Sequence, residues 1–302
     1  MSHRIVLTER DVELLRSVAE HRYLTLAQVE RLHFVSAQTA RRRLRLLAAG
    51  KWITLLRVPG LADRIVTLSQ VGASALTATS GKAAAASGKP THPLFLQHHL
   101  AGVEFRLRLE GTCALRSDLV LAGFLPEHLT KSSGAGQPVK YIRGEVPASG
   151  SQPVLGHTPD GVFALERDGK HALFFLEIDR GTEVLGSSDH GVGKIVRFYL
   201  RYLVSGGFQR YRVDFGALEL KAFRCLIVTS TAERLENIRQ RCGRIAFEPA
   251  AAKRFIWLAA SDLLRDGDPL TYEWRSLDPT DETQYHLAPQ QSCEGAASWP
   301  SS

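Results

Sequence analysis

The sequence lacks the patterns of membrane, secreted and zinc-binding proteins. No run approaches the roughly 18 consecutive apolar residues of a membrane span, and the opening MSHRIVLTERDVELL lacks the uninterrupted apolar stretch of a signal peptide. The cysteines are far apart and form no CxxC pair, so neither a zinc knuckle nor a disulfide framework is indicated: Cys113, Cys225, Cys242 and Cys293. We expect a cytoplasmic protein with reduced cysteines and no membrane contact.

The composition is that of a globular protein with more than one core. The chain has 302 residues, of which 44% are hydrophobic and 23% charged, and a chain of this length usually divides into two domains. Segment 78–93, ATSGKAAAASGKPTHP, has small residues but no apolar periodicity, as a connector does. The predicted organisation is a first domain over 1–78, a linker over 79–93, a second domain over 94–275 with a long loop near 131–156, and a disordered tail over 276–302.

Positive charge is concentrated near the start of the chain. Residues 1–80 contain 12 Lys and Arg against 6 Asp and Glu, which leaves 26 against 25 for the rest and accounts for six of the seven net positive charges. Such a concentration suits a surface that binds phosphates.

Three helix starts are predicted in this basic segment. Thr8, Thr25 and Ser36 each precede residues with helical apolar spacing and can cap a helix, and Gly50 can end the third helix as the residue after its C-terminus. Three helices with short joints suggest a helix-turn-helix.

The third helix, AQTARRRLRLLAAG, divides into an apolar and a basic face. On a helical wheel Ala37, Ala40, Leu44, Leu47 and Ala48 share one side, and polar residues fill the other. Guanidinium and amide groups suit guanine and adenine edges and phosphates, although an ordinary solvated arginine face is the alternative. The predicted DNA-binding residues of this helix are Ser36, Gln38, Thr39, Arg41, Arg42, Arg43 and Arg45, with Arg43 reaching phosphate.

A basic hairpin follows the third helix. The strands WITLLRV (52–58) and RIVTL (64–68) place Arg57 and Arg64 near the turn between them. A helix-turn-helix followed at once by such a hairpin predicts a winged helix that binds double-stranded DNA. A winged helix used only for protein contact is the alternative.

The later part of the chain has the element order α-β-β-β-α-β-α-β, which predicts an α/β fold with a mixed sheet. Asp168-Gly169 is a strong signal for a two-residue turn between strands 160–166 and 171–179. That turn would place Asp160 opposite Glu177, with Asp179 on the same face. Three such carboxylates could bind Mg²⁺, which activates water for phosphodiester cleavage; the alternative is a solvated hairpin end.

Pro159-Asp160, Glu177-x-Asp179 and the αβββαβ order resemble the PD-(D/E)xK nuclease fold. The resemblance implies an Mg²⁺-dependent endonuclease with Asp160, Glu177, Asp179 and Glu104 as metal ligands. Asp179 stands where that family has its catalytic lysine, and Lys194 on the next helix is the candidate to replace it. His157 is close to Asp160 in sequence, but a solvated loop histidine is the simpler interpretation, and Tyr199 is expected to pack within its helix.

The whole layout resembles the replication-relaxation family of bacterial mobile-element proteins. TARRRLRLL, HTPDG, FFLEIDRGTE and KIVRFYLRY carry this resemblance. It implies a role in DNA transactions, such as the replication, relaxation or transfer of a plasmid or other mobile element. A further hypothesis is a replication or conjugation accessory factor that recruits a relaxase or replication protein through the basic helix 194–210. The alternative is a non-catalytic transcriptional regulator whose C-terminal domain forms a homodimer or senses a ligand.

Overall fold

A computed structural model describes residues 6–81, 84–88, 92–127, 157–181, 191–216 and 220–288. The chain forms two compact units, Met1–Glu104 and Phe105–Ser302. Among the described residues, no helix is long and apolar enough to cross a membrane.

The N-terminal unit combines helices with a three-stranded antiparallel sheet in the order β1-β3-β2. Its elements are α1 (Glu9–His21), β1 (Tyr23–Thr25), α2 (Leu26–His33), α3 (Ala37–Ala49), β2 (Ile53–Leu56), β3 (Ile65–Leu68) and α4 (Gln70–Ser80). The chain then enters α5 (Pro93–Ala114), and the division between the units falls within this helix.

The three predicted helix starts are confirmed. The side chains of Thr8, Thr25 and Ser36 each accept a hydrogen bond from a backbone N–H in the first turn of the helix that follows. Gly50 ends α3 with a φ of −76°, and the left-handed residue is Lys51 with a φ of 61°. Gly50 therefore ends the helix as predicted, and the left-handed backbone that often follows a helix is adopted by Lys51.

Helix α3 buries the face that its periodicity predicts. Ala40, Leu44 and Leu47 are at most 1% exposed, whereas Ala37 is exposed at the first turn. A cluster of buried hydrophobic residues joins the sheet of this unit to the first turns of α5: Tyr23, Ile65, Leu96 and Leu100. Residues 94–104 thus pack with the N-terminal unit, and the division of the chain lies later than the predicted linker.

The C-terminal unit is built on a seven-stranded mixed sheet in the order β10-β9-β8-β7-β6-β5-β4. Its strands are β4 (Val120–Pro126), β5 (Gly161–Arg167), β6 (Lys170–Asp179), β7 (Phe223–Thr229), β8 (Ile256–Ala260), β9 (Trp274–Ser276) and β10 (Gln284–Tyr285). Strands β6, β7 and β8 are parallel neighbours, and the remaining pairs are antiparallel. The mixed α/β character expected from the sequence is confirmed.

Helices flank this sheet. They are α6 (Gly191–Ser205), α7 (Ala232–Cys242) and the short α8 (Asp262–Arg265), with 3-10 turns over Gly207–Arg212 and Ala250–Phe255. The main core lies between α6, α7 and the sheet, where Tyr199 and Ile238 belong to the same buried cluster as Phe175 and Phe223. On α5, Phe105 contacts Phe163 and Trp274.

Two segments differ from the sequence prediction. Within the predicted linker, the hydroxyl of Tyr23 donates a hydrogen bond to the carbonyl of Gly88 at 2.6 Å. The predicted disordered tail contains β10, and Leu277, Leu287 and Ala288 are fully buried, so residues 276–288 belong to the fold. The predicted loop at 131–156 and the end of the tail, 289–302, lie outside the described residues.

Candidate functional site

One face of α3 presents cationic and amide side chains to solvent. Gln38, Arg41, Arg42 and Arg45 are all exposed. The Nε of Arg41 donates to Glu30 of α2 at 3.2 Å, and the Nε of Arg45 donates to the carbonyl of Arg41 at 3.2 Å. These contacts orient two guanidinium groups on a helix whose other face is anchored in the core.

Ser36 and Thr39 lie at the start of the same helix. The Oγ of Ser36 accepts a hydrogen bond from the backbone N–H of Thr39 at 3.3 Å, and both residues are exposed. Ser36 therefore has a structural role as the cap of α3, and Thr39 points its side chain outward beside Gln38.

Arg43 has a different environment from the one predicted. Its Nε donates to Oδ1 of Asp11 at 2.9 Å, and its Nη2 donates to Oδ2 of Asp11 and to the carbonyl of Val6. The Asp11 side chain is completely buried. Although burial raises the pKa of Asp11, hydrogen bonds from Arg43 and Thr8 hold it below its usual value. Arg43 joins α3 to α1, a role that differs from the phosphate contact predicted from the sequence.

The hairpin β2–β3 places Arg57 and Arg64 just beyond the last paired residues, Leu56 and Ile65. Both arginines are exposed. Between them, Asp63 accepts a hydrogen bond from the backbone N–H of Ala27 at 2.8 Å, at the N-terminus of α2. This bond ties the hairpin tip to the helix that precedes α3.

The side chain of Gln97 adds a second tie to the hairpin. Its Nε2 donates to the carbonyl of Gly60 at 3.1 Å, so the tip is also held by α5. Gly60 has a φ of +78°, a conformation that favours glycine in this turn. The two ties together give the hairpin arginines a defined position within the unit.

In the C-terminal unit, strands β5 and β6 pair in the register that the sequence predicts. Asp168 and Gly169 form the turn with φ values of 52° and 71°, and Gly161 pairs with Leu176. Asp160 precedes β5, and its backbone N–H donates to the carbonyl of Leu176 at 3.0 Å. Its Oδ2 accepts the N–H of Ile178 at 2.7 Å. Asp160 and Glu177 therefore lie at the same end of the hairpin.

Glu177 is buried between an aromatic and an imidazole side chain. Its Oε1 accepts a hydrogen bond from the Tyr199 hydroxyl at 2.5 Å and lies 2.7 Å from Nε2 of His157. Burial raises the pKa of Glu177 above its usual value, while the nearby His157 opposes this effect. Burial likewise raises the pKa of Tyr199. The arrangement can hold a proton between Glu177 and His157.

Asp179 forms an ion pair instead of joining the other two acids. Its Oδ2 accepts the Nε of Arg234 at 2.5 Å and the hydroxyl of Thr229 at 2.8 Å, and its Oδ1 accepts Nη2 of Arg234 at 2.9 Å. The backbone N–H of Gly181 also donates to Oδ1 at 3.1 Å. Four donors thus occupy the carboxylate that the sequence proposed as a metal ligand.

Glu104 also has a different partner. Its two carboxylate oxygens accept from the guanidinium group of Arg31, each at 2.9 Å, and one accepts from Gln28 at 3.0 Å. All three residues belong to the N-terminal unit. The structure therefore gives Glu104 a role in holding α2 to α5, which differs from the predicted metal ligand.

The predicted metal site is thus not assembled among the described residues. No group of three His, Cys, Asp or Glu side chains in this part of the chain could hold a metal ion. Lys194 is exposed on α6. The side chains that contact the Glu177 carboxylate are His157 and Tyr199. They lie in HTPDG and KIVRFYLRY, two of the strings that carry the family resemblance, although the sequence interpretation assigned neither residue a role at Glu177.

The replication-relaxation family matches residues 15–218, which is more than half of the chain. This match spans α3, the β2–β3 hairpin and the strand that carries Glu177 and Asp179. No curated protein and no solved structure matches the chain. The chain belongs to the replication-relaxation family.

Proposed function

We propose that the N-terminal unit is a winged helix that binds double-stranded DNA, with α3 in the major groove and the β2–β3 hairpin as the wing. The order α1-β1-α2-α3-β2-β3 supports this assignment, because a helix-turn-helix is followed directly by an antiparallel hairpin. The unit binds through two parts, an exposed helix face and a hairpin tip.

The main support for the proposal is that α3 buries apolar residues on one face and exposes cationic and amide residues on the other. Ala40, Leu44 and Leu47 anchor the helix, and Gln38, Arg41, Arg42 and Arg45 stay exposed on the other side. An arginine can donate two hydrogen bonds to guanine, and a glutamine can donate one hydrogen bond to adenine N7 and accept one from the N6 amino group. The wing arginines suit phosphates, which position the protein without reading sequence.

The cellular role follows from family membership. The replication-relaxation family indicates involvement in replication or relaxation, and we place that role on a plasmid or other mobile element. In this proposal the N-terminal unit selects the DNA site, and the C-terminal unit acts on the DNA or recruits a relaxase or replication protein. A homodimer would bind two half-sites separated by about one helical turn.

DNA binding is tested by fluorescence anisotropy of the full chain with labelled duplexes selected from a random pool. We expect Arg42→Ala to weaken binding of the selected duplex about tenfold, the effect of losing one two-bond base contact. Arg16→Ala is the matched control, because Arg16 is an exposed arginine on α1 outside the proposed surface. Equal affinities of wild type and R42A would contradict the docking of α3.

Magnesium-dependent cleavage is the second candidate function. The register that brings Asp160 and Glu177 to one end of the β5–β6 hairpin favours it, as does the order α5-β4-β5-β6-α6-β7, which is that of the PD-(D/E)xK fold. The ion pair of Asp179 with Arg234 counts against it, because the third carboxylate is already neutralised.

Incubation of the full chain with supercoiled plasmid and Mg²⁺ tests this second function. Cleavage that disappears in an Asp160→Ala/Glu177→Ala variant, while duplex binding persists, would assign a nuclease role to these acids. Retained duplex binding with neither cleavage nor calorimetric Mg²⁺ binding would instead favour the non-catalytic regulator.

A further inference from the structure

The turn between α2 and α3 carries an apolar side chain that nothing in the described protein covers. Val35 has a relative exposure of 107%, the highest among the large hydrophobic residues of the described chain. Single exposed apolar residues are common on protein surfaces. Val35 differs from most of them by its position, one residue before the cap of the helix that we dock on DNA.

The residues on both sides of Val35 are held in place by contacts of their own. Phe34 and Ser36 have extended backbones, with φ values of −136° and −142°. The guanidinium group of Arg10 lies 4.6 Å from the centre of the Phe34 ring, and Ser36 is held by its capping bond to Thr39. The chain bends at Val35 between these two residues, and the valine side chain is left open to solvent.

The surroundings of Val35 indicate what would cover it. Gln38 and Thr39, in the first turn of α3, are also exposed, so an amide and a methyl group accompany the valine. The N-terminal residues of a recognition helix are the ones that contact base edges. In the major groove the apolar group of a base pair is the 5-methyl of thymine, and its adenine partner offers N6 and N7 to a glutamine amide.

We propose that Val35 packs against the 5-methyl group of a thymine, so that the α2–α3 turn selects an A·T pair at one position of the DNA site. This inference rests on the proposed DNA binding. It assigns thymine selection to a turn residue that precedes the basic face of α3.

The test uses the full chain and a duplex selected from a random pool, in which each thymine is replaced in turn by deoxyuridine, which lacks only the 5-methyl group. We expect one replacement to weaken wild-type binding about fourfold, the factor that corresponds to burial of one methyl group. Val35→Ala should bind the unmodified duplex more weakly by a similar factor and should be insensitive to that same replacement.

Val71→Ala is the matched control, because Val71 is an exposed valine of α4 in the same unit, at 45% exposure. This variant should keep the wild-type sensitivity to deoxyuridine. Duplex binding that no thymine replacement weakens, or a V35A variant that keeps the wild-type sensitivity, would overturn the inference and leave the proposed DNA binding intact. Absence of any duplex binding by the wild type would overturn both.

Discussion

Arg43 and Arg42 are neighbours in sequence with opposite roles in the structure. Arg43 is 18% exposed and bound to the buried Asp11, whereas Arg42 is exposed to solvent. Removing one partner of a buried ion pair leaves the other charge uncompensated. We therefore expect Arg43→Ala to lower the free energy of unfolding by about 3 kcal/mol, measured by urea denaturation.

The neighbouring variant Arg42→Ala serves as the control for this prediction. Because Arg42 is exposed, its replacement should change the free energy of unfolding by less than about 0.5 kcal/mol. The two variants should thus differ in kind: R42A loses DNA affinity, and R43A loses stability. An R43A protein as stable as R42A would show that the pair with Asp11 does not hold the unit together.

The raised pKa of Glu177 predicts that the stability of the protein depends on pH in an unusual way. Burial raises its pKa in the folded protein, so the folded state binds the proton more tightly than the unfolded state does. Its contribution to stability is present at low pH and is lost as the pH rises through the raised pKa. Glu177→Gln removes this titration, and we expect the variant to be more stable than wild type at neutral pH by about 1 kcal/mol.

The difference between E177Q and wild type should shrink as the pH falls through the raised pKa towards the usual carboxyl range, and it should stay constant below that range. Thermal unfolding at a series of pH values measures it. Glu233→Gln is the control, because Glu233 is exposed on α7 and its replacement should give no such trend. A difference that stays constant with pH would show that Glu177 does not titrate with a raised pKa.

At the scale of elements, local signals predicted the hairpin but could not predict the ion pairs. The dipeptide Asp168-Gly169 fixes a two-residue turn, and the turn alone sets which residues of β5 and β6 face each other. By contrast, Asp179 and Arg234 are 55 residues apart, and Asp11 and Arg43 are 32 apart. Such pairs depend on how the elements pack against each other. The charges of the separate segments do not show which residues will pair.

The same difference between local and long-range contacts explains why the sequence predicted the helix starts but not the partners of Glu104. Caps lie within three residues of their partners, so the sequence located Thr8, Thr25 and Ser36 directly. The partners of Glu104 are Gln28 and Arg31, more than 70 residues earlier, with separations of 76 and 73. A family pattern assigns a glutamate by its position in a motif, and its actual partner is decided by tertiary contacts.

The proposed role of the β2–β3 hairpin as a wing predicts how DNA binding depends on salt. Arg64 lies at the exposed tip that Asp63 ties to α2, so its contribution should come from one phosphate contact. We expect Arg64→Ala to weaken binding of all duplexes about equally and to reduce the slope of log affinity against log salt by about one. Anisotropy titrations between low and physiological salt measure this slope. An unchanged slope would remove the wing from the interface.

At the scale of the whole molecule, the uneven distribution of charge makes a prediction about which unit attracts DNA in the proposed function. Residues 1–80 contain 12 basic and 6 acidic residues, and the rest of the chain contains 26 basic and 25 acidic residues. We expect Asp160→Asn/Glu177→Gln to keep the wild-type affinity for duplex DNA within about twofold, because long-range attraction arises mainly from the first unit. A large change measured by anisotropy would place the acids in the DNA interface.

The contacts of Arg43 with Val6 and with Asp11 in the first turn of α1 have a practical consequence for shortened forms of the protein. The guanidinium group of Arg43 is held by Asp11 and by the carbonyl of Val6, and the family match begins only at residue 15. A fragment that begins at residue 15 would keep every exposed arginine of α3 but would lose Val6 and Asp11, the two residues that hold Arg43. Failure of this fragment to bind DNA would then be explained by a displaced α3 and would not test the proposed DNA-binding residues.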